Sequence, residues 1–180
     1  MNKIRFLIIF TTIFIIMPTL SFGQDTIIIG ENSQKGKIIL YSFITEHGGY
    51  IGGDIGYTGV FVNGIRLSKT QDEIGIGVGV EYGIAGPLNI PIYLNYRHYF
   101  SSKRNSQPFL NFAAGTRLSL LYLEKPCILG LYSTVTTGFR VKAFSFSSGF
   151  YVKSIGFDFF FVGFEIKLGC TFNTTKKTNK

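Results

Sequence analysis

Charged residues are scarce in this sequence of 180 residues: they make up 16% of the chain, and only ten are Asp or Glu. Water-soluble domains usually carry about 25% charged residues, so the low content argues against an ordinary soluble domain. Cysteine and histidine are rarer still, at two residues each. Cys127, Cys170, His47 and His98 are scattered and form no metal-ligand motif, so we predict no metal site.

Recognisable catalytic motifs are missing as well. Serine is plentiful, but no serine stands in a G-x-S-x-G sequence, the setting of the nucleophile in α/β-hydrolases. Gly75, Gly77 and Gly79 imitate a phosphate-binding loop, yet they alternate within a strand pattern and precede no helical segment. We therefore predict that the chain is not an enzyme and binds no cofactor.

A largely apolar stretch lies at the start of the chain. Phe6–Ile16 follows the basic residues Lys3 and Arg5 and precedes an ending in small residues at Gly23. This arrangement is typical of a secretory signal peptide, here cleaved before Gln24. A single transmembrane anchor is the alternative, but such a helix needs about 20 apolar residues. We predict a signal peptide over residues 1–23 and a periplasmic segment over residues 24–36.

The formal net charge of +8 is a property that nucleic-acid-binding proteins share. Basic residues are nevertheless dispersed through this chain, and the only basic run is Lys176, Lys177 and Lys180. An exported protein rarely meets nucleic acid, so we predict no such partner. We interpret residues 173–180 as a polar, basic tail in solvent.

Glycine and aromatic residues are abundant, with 22 Gly, 19 Phe and 10 Tyr. In Ile74–Ala85 every even position carries a large side chain and every odd position carries Gly, Ala or Glu. This alternation of period two predicts a β-strand with one apolar face. A helix is disfavoured because each glycine destabilises a helix interior by about 1 kcal/mol.

Seven further segments are strand-like, which predicts eight strands and an all-β fold. The predicted strands are Ile38–Ile51, Ile55–Ser68, Ile74–Ala85, Ile90–Phe100, Phe109–Tyr122, Leu129–Arg140, Ala143–Lys153 and Phe159–Phe172. The first two contain breaks in the alternation or glycine pairs, for which we expect β-bulges. This strand map places Cys127 and Cys170 near opposite ends of the fold, so we expect no disulfide.

Side-chain volume indicates which face lies inside. A barrel of about eight strands has a narrow interior, and the face rich in Phe, Leu and Ile is too bulky to fill it. We therefore predict a closed antiparallel transmembrane β-barrel of meander topology over residues 37–172, with lipid outside and small or polar residues inside. The even strand number places both ends of the chain in the periplasm, and the outer connections are short.

Several charged residues have the inward parity. Buried charges persist when they are paired, so we predict that Glu81 and Glu165 anchor a lumenal charge network that plugs the barrel. In this map six basic groups and two acidic groups point inward. The alternative to a plugged barrel is therefore a narrow path for small anions or a carrier of a small ligand. The network consists of Arg66, Glu81, Arg97, Arg117, Glu165 and Lys167, and Arg140 and Lys153 also point inward.

Three short sequences in the middle of the chain carry a family resemblance: N-G-I-R at 63–66, I-G-I-G-V-G-V-E-Y at 74–82 and I-P-I-Y-L-N-Y-R-H-Y-F at 90–100. They resemble small outer-membrane β-barrel proteins of Bacteroidota-type bacteria, of the OmpX/OmpA barrel type. The last strand, ending on the aromatic Phe172, also resembles the assembly signal of such barrels. The resemblance implies an outer-membrane location, with membrane lipid and the barrel assembly machinery as partners, and we predict a monomer.

The predicted function is therefore an integral outer-membrane barrel with a structural or interaction role. A lipid-modifying enzyme is the least favoured alternative, with His47, near the outer end of the first strand, as the only histidine near the outer leaflet. His98 has the lipid-facing parity near the periplasmic end of the fourth strand, where an amphipathic ring is expected.

Overall fold

Eight strands make up the described part of the chain, which comprises residues 39–67, 71–84, 86–100, 106–120, 128–156 and 159–174 of a computed structural model. They are β1 (Ile39–Gly52), β2 (Asp54–Leu67), β3 (Asp72–Gly83), β4 (Leu88–Tyr99), β5 (Ser106–Leu120), β6 (Ile128–Val141), β7 (Phe144–Ile155) and β8 (Phe159–Thr174). Each strand pairs antiparallel with the next, and β1 pairs with β8 to close the sheet. The predicted all-β closed meander barrel is confirmed. No helix among these residues is long and apolar enough to cross a membrane.

The strand ends define two mouths. Gly52, Gly83, Leu120 and Ile155 end their strands at one end of the barrel, here called the outer mouth. The start of β1 and the end of β8 lie at the opposite end, the inner mouth. The tightest turn is at the outer mouth, where Gly52 pairs with Asp54 and only Gly53 lies between them. Gly52 and Gly53 have φ values of 137° and 69°. Residues with a Cβ rarely adopt such positive φ values.

Large apolar side chains lie on the outside of the wall. In β3, Ile74, Ile76 and Val78 are 47%, 62% and 46% exposed, whereas the glycines between them are buried. The same alternation orients every strand: even-numbered residues point inward in β1, β2 and β6, and odd-numbered residues point inward in the others. The apolar face is therefore the exterior, as predicted from side-chain volume.

The bulges expected in the first two strands are absent, so that prediction is wrong. β1 and β2 pair without interruption from Ile39 with Leu67 to Gly52 with Asp54, and β2 is equally continuous with β3. The alternation in these strands is hard to see because their inward face is chemically mixed. Besides polar residues, this face carries Ile44, Val60 and Val62. These three side chains pack with Tyr93, Ala113 and Tyr132 in one buried cluster.

The last strand is slightly longer than predicted, because β8 extends to Thr174 and not only to Phe172. Cys170 lies on its outward face and is the only cysteine among the described residues. Cys127 lies outside the described residues, so the absence of a disulfide stays a prediction. The predicted signal peptide, the segment 24–36 and the tail beyond Thr174 also lie outside the described residues.

Close approach of two strands requires glycine at some inward positions. A Cβ on Gly115 of β5 would overlap the carbonyl oxygen of Ile92 and the backbone of Tyr93 on β4. Gly49, on the outward face of β1, has room, since its Cβ would lie 3.7 Å from the nearest atom, the carbonyl oxygen of Gly56.

The substitution Gly115→Ala should therefore lower the free energy of unfolding by about 1–3 kcal/mol, the usual cost of overpacking. The matched control Gly49→Ala should change it by less than about 0.5 kcal/mol, as an unconstrained surface substitution does. Urea titration of the refolded barrel in detergent measures both values. Equal losses in the two variants would contradict the proposed close contact at Gly115.

Candidate functional site inside the barrel

Glu81 is the centre of an ion-pair cluster near the outer mouth. It points inward from β3 and is fully buried. Nε of Arg117 lies 3.2 Å from its Oε2, and Nζ of Lys153 lies 2.6 Å from its Oε1. Arg117 belongs to β5 and Lys153 to β7. The two ion pairs therefore cross the lumen and connect three strands that are not neighbours in the sheet.

Two more carboxylates are paired deeper in the lumen. Glu46 of β1 forms an ion pair with Arg97 of β4, and Nε of Arg97 also donates to Oδ1 of Asn111 at 3.3 Å. Nζ of Lys167 donates to Oε1 of Glu165 at 2.7 Å. All these side chains are buried, and pairing with hydrogen bonds offsets part of the cost of removing their charges from water.

Two inward-pointing arginines near the inner mouth form no ion pair with a carboxylate of the described residues. The guanidinium of Arg66 lies over the ring of Tyr99, 4.3 Å from its centroid, and Nη2 donates to Oε1 of Gln107 at 3.4 Å. Nε of Arg140 donates to the carbonyl oxygen of Lys142 at 2.7 Å. These positive groups are thus held by an aromatic face and by neutral acceptors.

Glu73 is the fourth lumenal glutamate, and it is fully buried. It accepts hydrogen bonds from the hydroxyl of Ser42 and, at 3.1 Å, from the hydroxyl of Tyr99. Hydroxyl donors rather than a cation therefore satisfy this carboxylate.

Aromatic rings fill much of the space between the charged groups, and cations lie on their faces. Nζ of Lys153 is 3.9 Å from the ring centroid of Tyr151, and Cζ of Arg97 is 4.3 Å from that of Phe109. Such contacts contribute about 0.5–2 kcal/mol each. The interior ring pairs are Tyr50–Tyr151, Tyr93–Tyr132 and Tyr99–Phe109, with centroids 5.7, 5.0 and 5.7 Å apart.

The residues of the predicted network all point into the lumen, but the structure divides them among separate pairs. Arg97 binds Glu46 and neither of the two predicted carboxylates. Lys153, predicted to point inward but not included in the network, is a direct partner of Glu81. The residues placed in the lumen are Arg66, Glu81, Arg97, Arg117, Glu165 and Lys167.

The expected ratio of six basic groups to two acidic groups is wrong, because Glu46 and Glu73 also face inward and are buried. The predicted strand omits Glu73, because it begins one residue later, at Ile74. The prediction also omits Glu46, because it takes the alternation of the first strand to be broken. Strict parity with Ser42 and Tyr50, both on even positions of the same strand, would have placed Glu46 inside.

Both histidines lie on the outside of the barrel. His47 lies close to the middle of β1, not near its outer end as predicted, and its Nδ1 is 2.6 Å from the hydroxyl oxygen of Tyr57. His98 lies near the inner end of β4, as predicted, with Nδ1 2.7 Å from Oδ1 of Asp72. Within the described ranges, no group of His, Cys, Asp and Glu side chains could hold a metal ion.

An apolar exterior and an ion-paired, ring-filled interior define the structural class: a closed eight-stranded antiparallel barrel of the outer-membrane type. Neither a protein-family model nor a curated protein sequence matches the chain. Its fold is similar to Neisserial surface protein A (NspA), with a TM-score of 0.53 and 12% identity over 76% of this chain and 98% of that chain. It is also similar to the N-terminal β-barrel domain of Pseudomonas aeruginosa OprF, with a TM-score of 0.50 and 10% identity over 73% of this chain and 97% of that chain.

These similarities support the OmpX/OmpA type of barrel that the sequence resembles. At such low identity they concern the fold alone. Origin in a Bacteroidota-type bacterium stays a prediction.

The substitution Glu81→Gln should destabilise the barrel, because it leaves Arg117 and Lys153 buried without their carboxylate. Breaking a buried ion pair by removing one partner typically costs about 3–5 kcal/mol, and urea titration should show a loss of this size. The double variant Glu81→Gln/Lys153→Met removes one uncompensated cation and should lose less than the single variant. If Glu81→Gln were as stable as the wild type, the cluster would not be an ion-paired support of the fold.

Proposed function

We propose that this chain is an integral outer-membrane barrel with a structural or interaction role, and that its lumen does not conduct ions. The exterior supports the membrane location. Large apolar side chains are exposed around the wall, among them Ile84, Phe144, Phe159, Leu94 and Phe150 at 66–74%. Soluble monomers rarely expose contiguous apolar surface on this scale, whereas an apolar outer band is what a transmembrane barrel presents to lipid.

The filled lumen is the observation that carries the proposed closed state. Carboxylates in the outer and middle parts of the lumen form ion pairs with cations. Glu81 pairs with Arg117 of another strand, and Glu165 pairs with Lys167 of the same strand. The stacked rings of Tyr93 and Tyr132 occupy the space between these groups. Small eight-stranded barrels are commonly filled by side chains in this way, and a continuous water path would require these contacts to separate.

The remaining parts of the proposal follow from the exterior and from the chemistry of the side chains. Membrane lipid is the partner of the apolar band, and the barrel assembly machinery is the partner during biogenesis. We propose a monomer with no nucleic-acid partner, no cofactor and no catalytic activity. His47, the candidate base of the least favoured enzyme alternative, is an outward-facing ring engaged with Tyr57, which suits a structural role.

A narrow anion-permeable pore is the second candidate, and one observation favours it. Six basic side chains face the described lumen against four glutamates. The surplus positive charge includes Arg66 and Arg140 near the inner mouth, which form no ion pair with a described carboxylate. Such a pore would select anions because positive groups lower the energy of an anion in a narrow channel.

Planar-bilayer recording of the purified mature barrel should show no conductance steps above baseline, because the ion pairs and rings close the lumen. A gel shift between unheated and boiled samples serves as the control that the protein inserted as a folded barrel. Regular anion-selective steps from heat-modifiable protein would contradict the closed lumen and favour the pore.

A further inference from the structure

A cavity of about 310 Å³ lies at the outer mouth, directly beside the Glu81 cluster. Arg117 and Lys153 line it on the lumenal side, and the rings of Tyr50, Tyr151 and Phe161 form apolar parts of its wall. Its volume is at the lower end of the range of about 300–1,000 Å³ that is typical of small-molecule sites. The proposed closed lumen does not require or explain this cavity, since the ion pairs and rings that close the lumen lie beneath it.

Two cations of the cavity wall share one carboxylate. Arg117 and Lys153 are 6% and 2% exposed, and they share a single carboxylate, that of the fully buried Glu81. This trio therefore carries one net positive charge, and Asp54, the other carboxylate of the lining, forms no ion pair with Arg117 or Lys153. A desolvated charge without a partner is costly, and one singly charged anion in the cavity would neutralise it.

The orientation of Arg117 leaves its best anion-binding atoms available. Its ion pair with Glu81 is made through Nε. The two terminal nitrogens donate no hydrogen bond to a described residue, and the side chain lines the cavity. A guanidinium fork binds a carboxylate through two parallel hydrogen bonds.

Asp54 limits the charge that the site accepts. It also lines the cavity, and its Oδ1 accepts a hydrogen bond from the amide of Ile55 at 2.7 Å. This carboxylate adds a negative charge to the lining, opposing the positive charge of Arg117 and Lys153. Repulsion from it opposes a dianion more strongly than a monoanion, so a ligand with a single charge placed at Arg117 fits the lining better.

The aromatic part of the wall is held rigidly. The hydroxyl of Tyr151 donates to the carbonyl oxygen of Gly52 at 2.5 Å, and its ring packs edge-on against Tyr50 at 5.7 Å between centroids. Fixed rings beside a cationic group match a ligand that has an apolar body and one charged end, because the body can displace water from the rings while the charge reaches Arg117.

We propose that the outer mouth binds a small monocarboxylate with an aromatic or apolar body. Its carboxylate pairs with the terminal nitrogens of Arg117, and its body packs on Tyr50, Tyr151 and Phe161. The site stands independently of the conductance of the lumen, because it uses only residues of the mouth and the cations that Glu81 anchors.

Isothermal titration of the folded mature chain in detergent with benzoate tests this proposal, with benzyl alcohol as the neutral analogue and empty micelles as the blank. Benzoate should bind saturably at one site per chain, and benzyl alcohol should bind at least about tenfold more weakly, because hydrogen bonds to a charged group are lost. Absence of saturable benzoate binding, or equal affinity for the two compounds, would overturn the proposal.

Two variants separate the site from the stability of the fold. Arg117→Lys keeps the positive charge beside Glu81 but removes the fork, and we expect at least about a tenfold loss of benzoate affinity. Arg66→Lys makes the same change near the inner mouth, away from the cavity, and should leave the affinity unchanged. The gel shift on heating confirms that each variant is folded.

Phe161→Ala provides an independent test should Arg117→Lys fail to fold. It should weaken benzoate binding severalfold while leaving the weaker binding of acetate unchanged, because only the contact with the ligand body is lost. Wild-type benzoate affinity in folded Arg117→Lys or in Phe161→Ala would overturn the assignment of the site.

Discussion

The narrow lumen of a closed eight-stranded barrel is the constraint on which the rest of this structure depends. Closing the sheet forces every second side chain into a space that side chains themselves must fill. A charge in that space must find a partner, because the cost of burying it alone exceeds what a marginally stable fold can absorb. The pairing of Glu46, Glu81 and Glu165 with cations follows directly from this geometry.

The abundance of glycine and tyrosine has a common origin in this packing. Tyr93 lies between Gly77 on one neighbouring strand and Gly115 on the other, and a Cβ on Gly77 would overlap its ring. In the same manner, Tyr50 lies beside Gly56 and Tyr151 lies beside Gly163 on the neighbouring strand. Each of these three rings therefore occupies the volume that a glycine beside it leaves empty. Large and small residues alternate around the lumen as a consequence of filling a narrow tube.

The sequence alone was sufficient for the number of strands, their antiparallel order and the choice of the outward face, because period-two alternation reports directly on the two faces of a sheet. It was insufficient for the partner of Arg97. Which carboxylate a lumenal arginine reaches depends on the shear of the barrel and on side-chain length across the lumen, and neither is encoded in local alternation. The cavity at the outer mouth was missed for a similar reason, since Tyr50, Arg117 and Phe161 lie on three strands and meet only after closure.

Large apolar side chains on the outer face contact lipid, whereas the inward-pointing side chains do not. Methyl groups of Ile, Leu and Val lie on both faces of the barrel wall and can be tested for contact with lipid. In methyl-labelled protein in lipid nanodiscs, the account predicts nuclear Overhauser effects from acyl-chain protons to the methyls of Ile76 and Leu94, which are 62% and 67% exposed. The methyls of Ile44, Val60 and Val62, which are buried inside the wall, should show none. Acyl-chain contacts at Ile44 or Val60, or their absence at Ile76 and Leu94, would contradict the account.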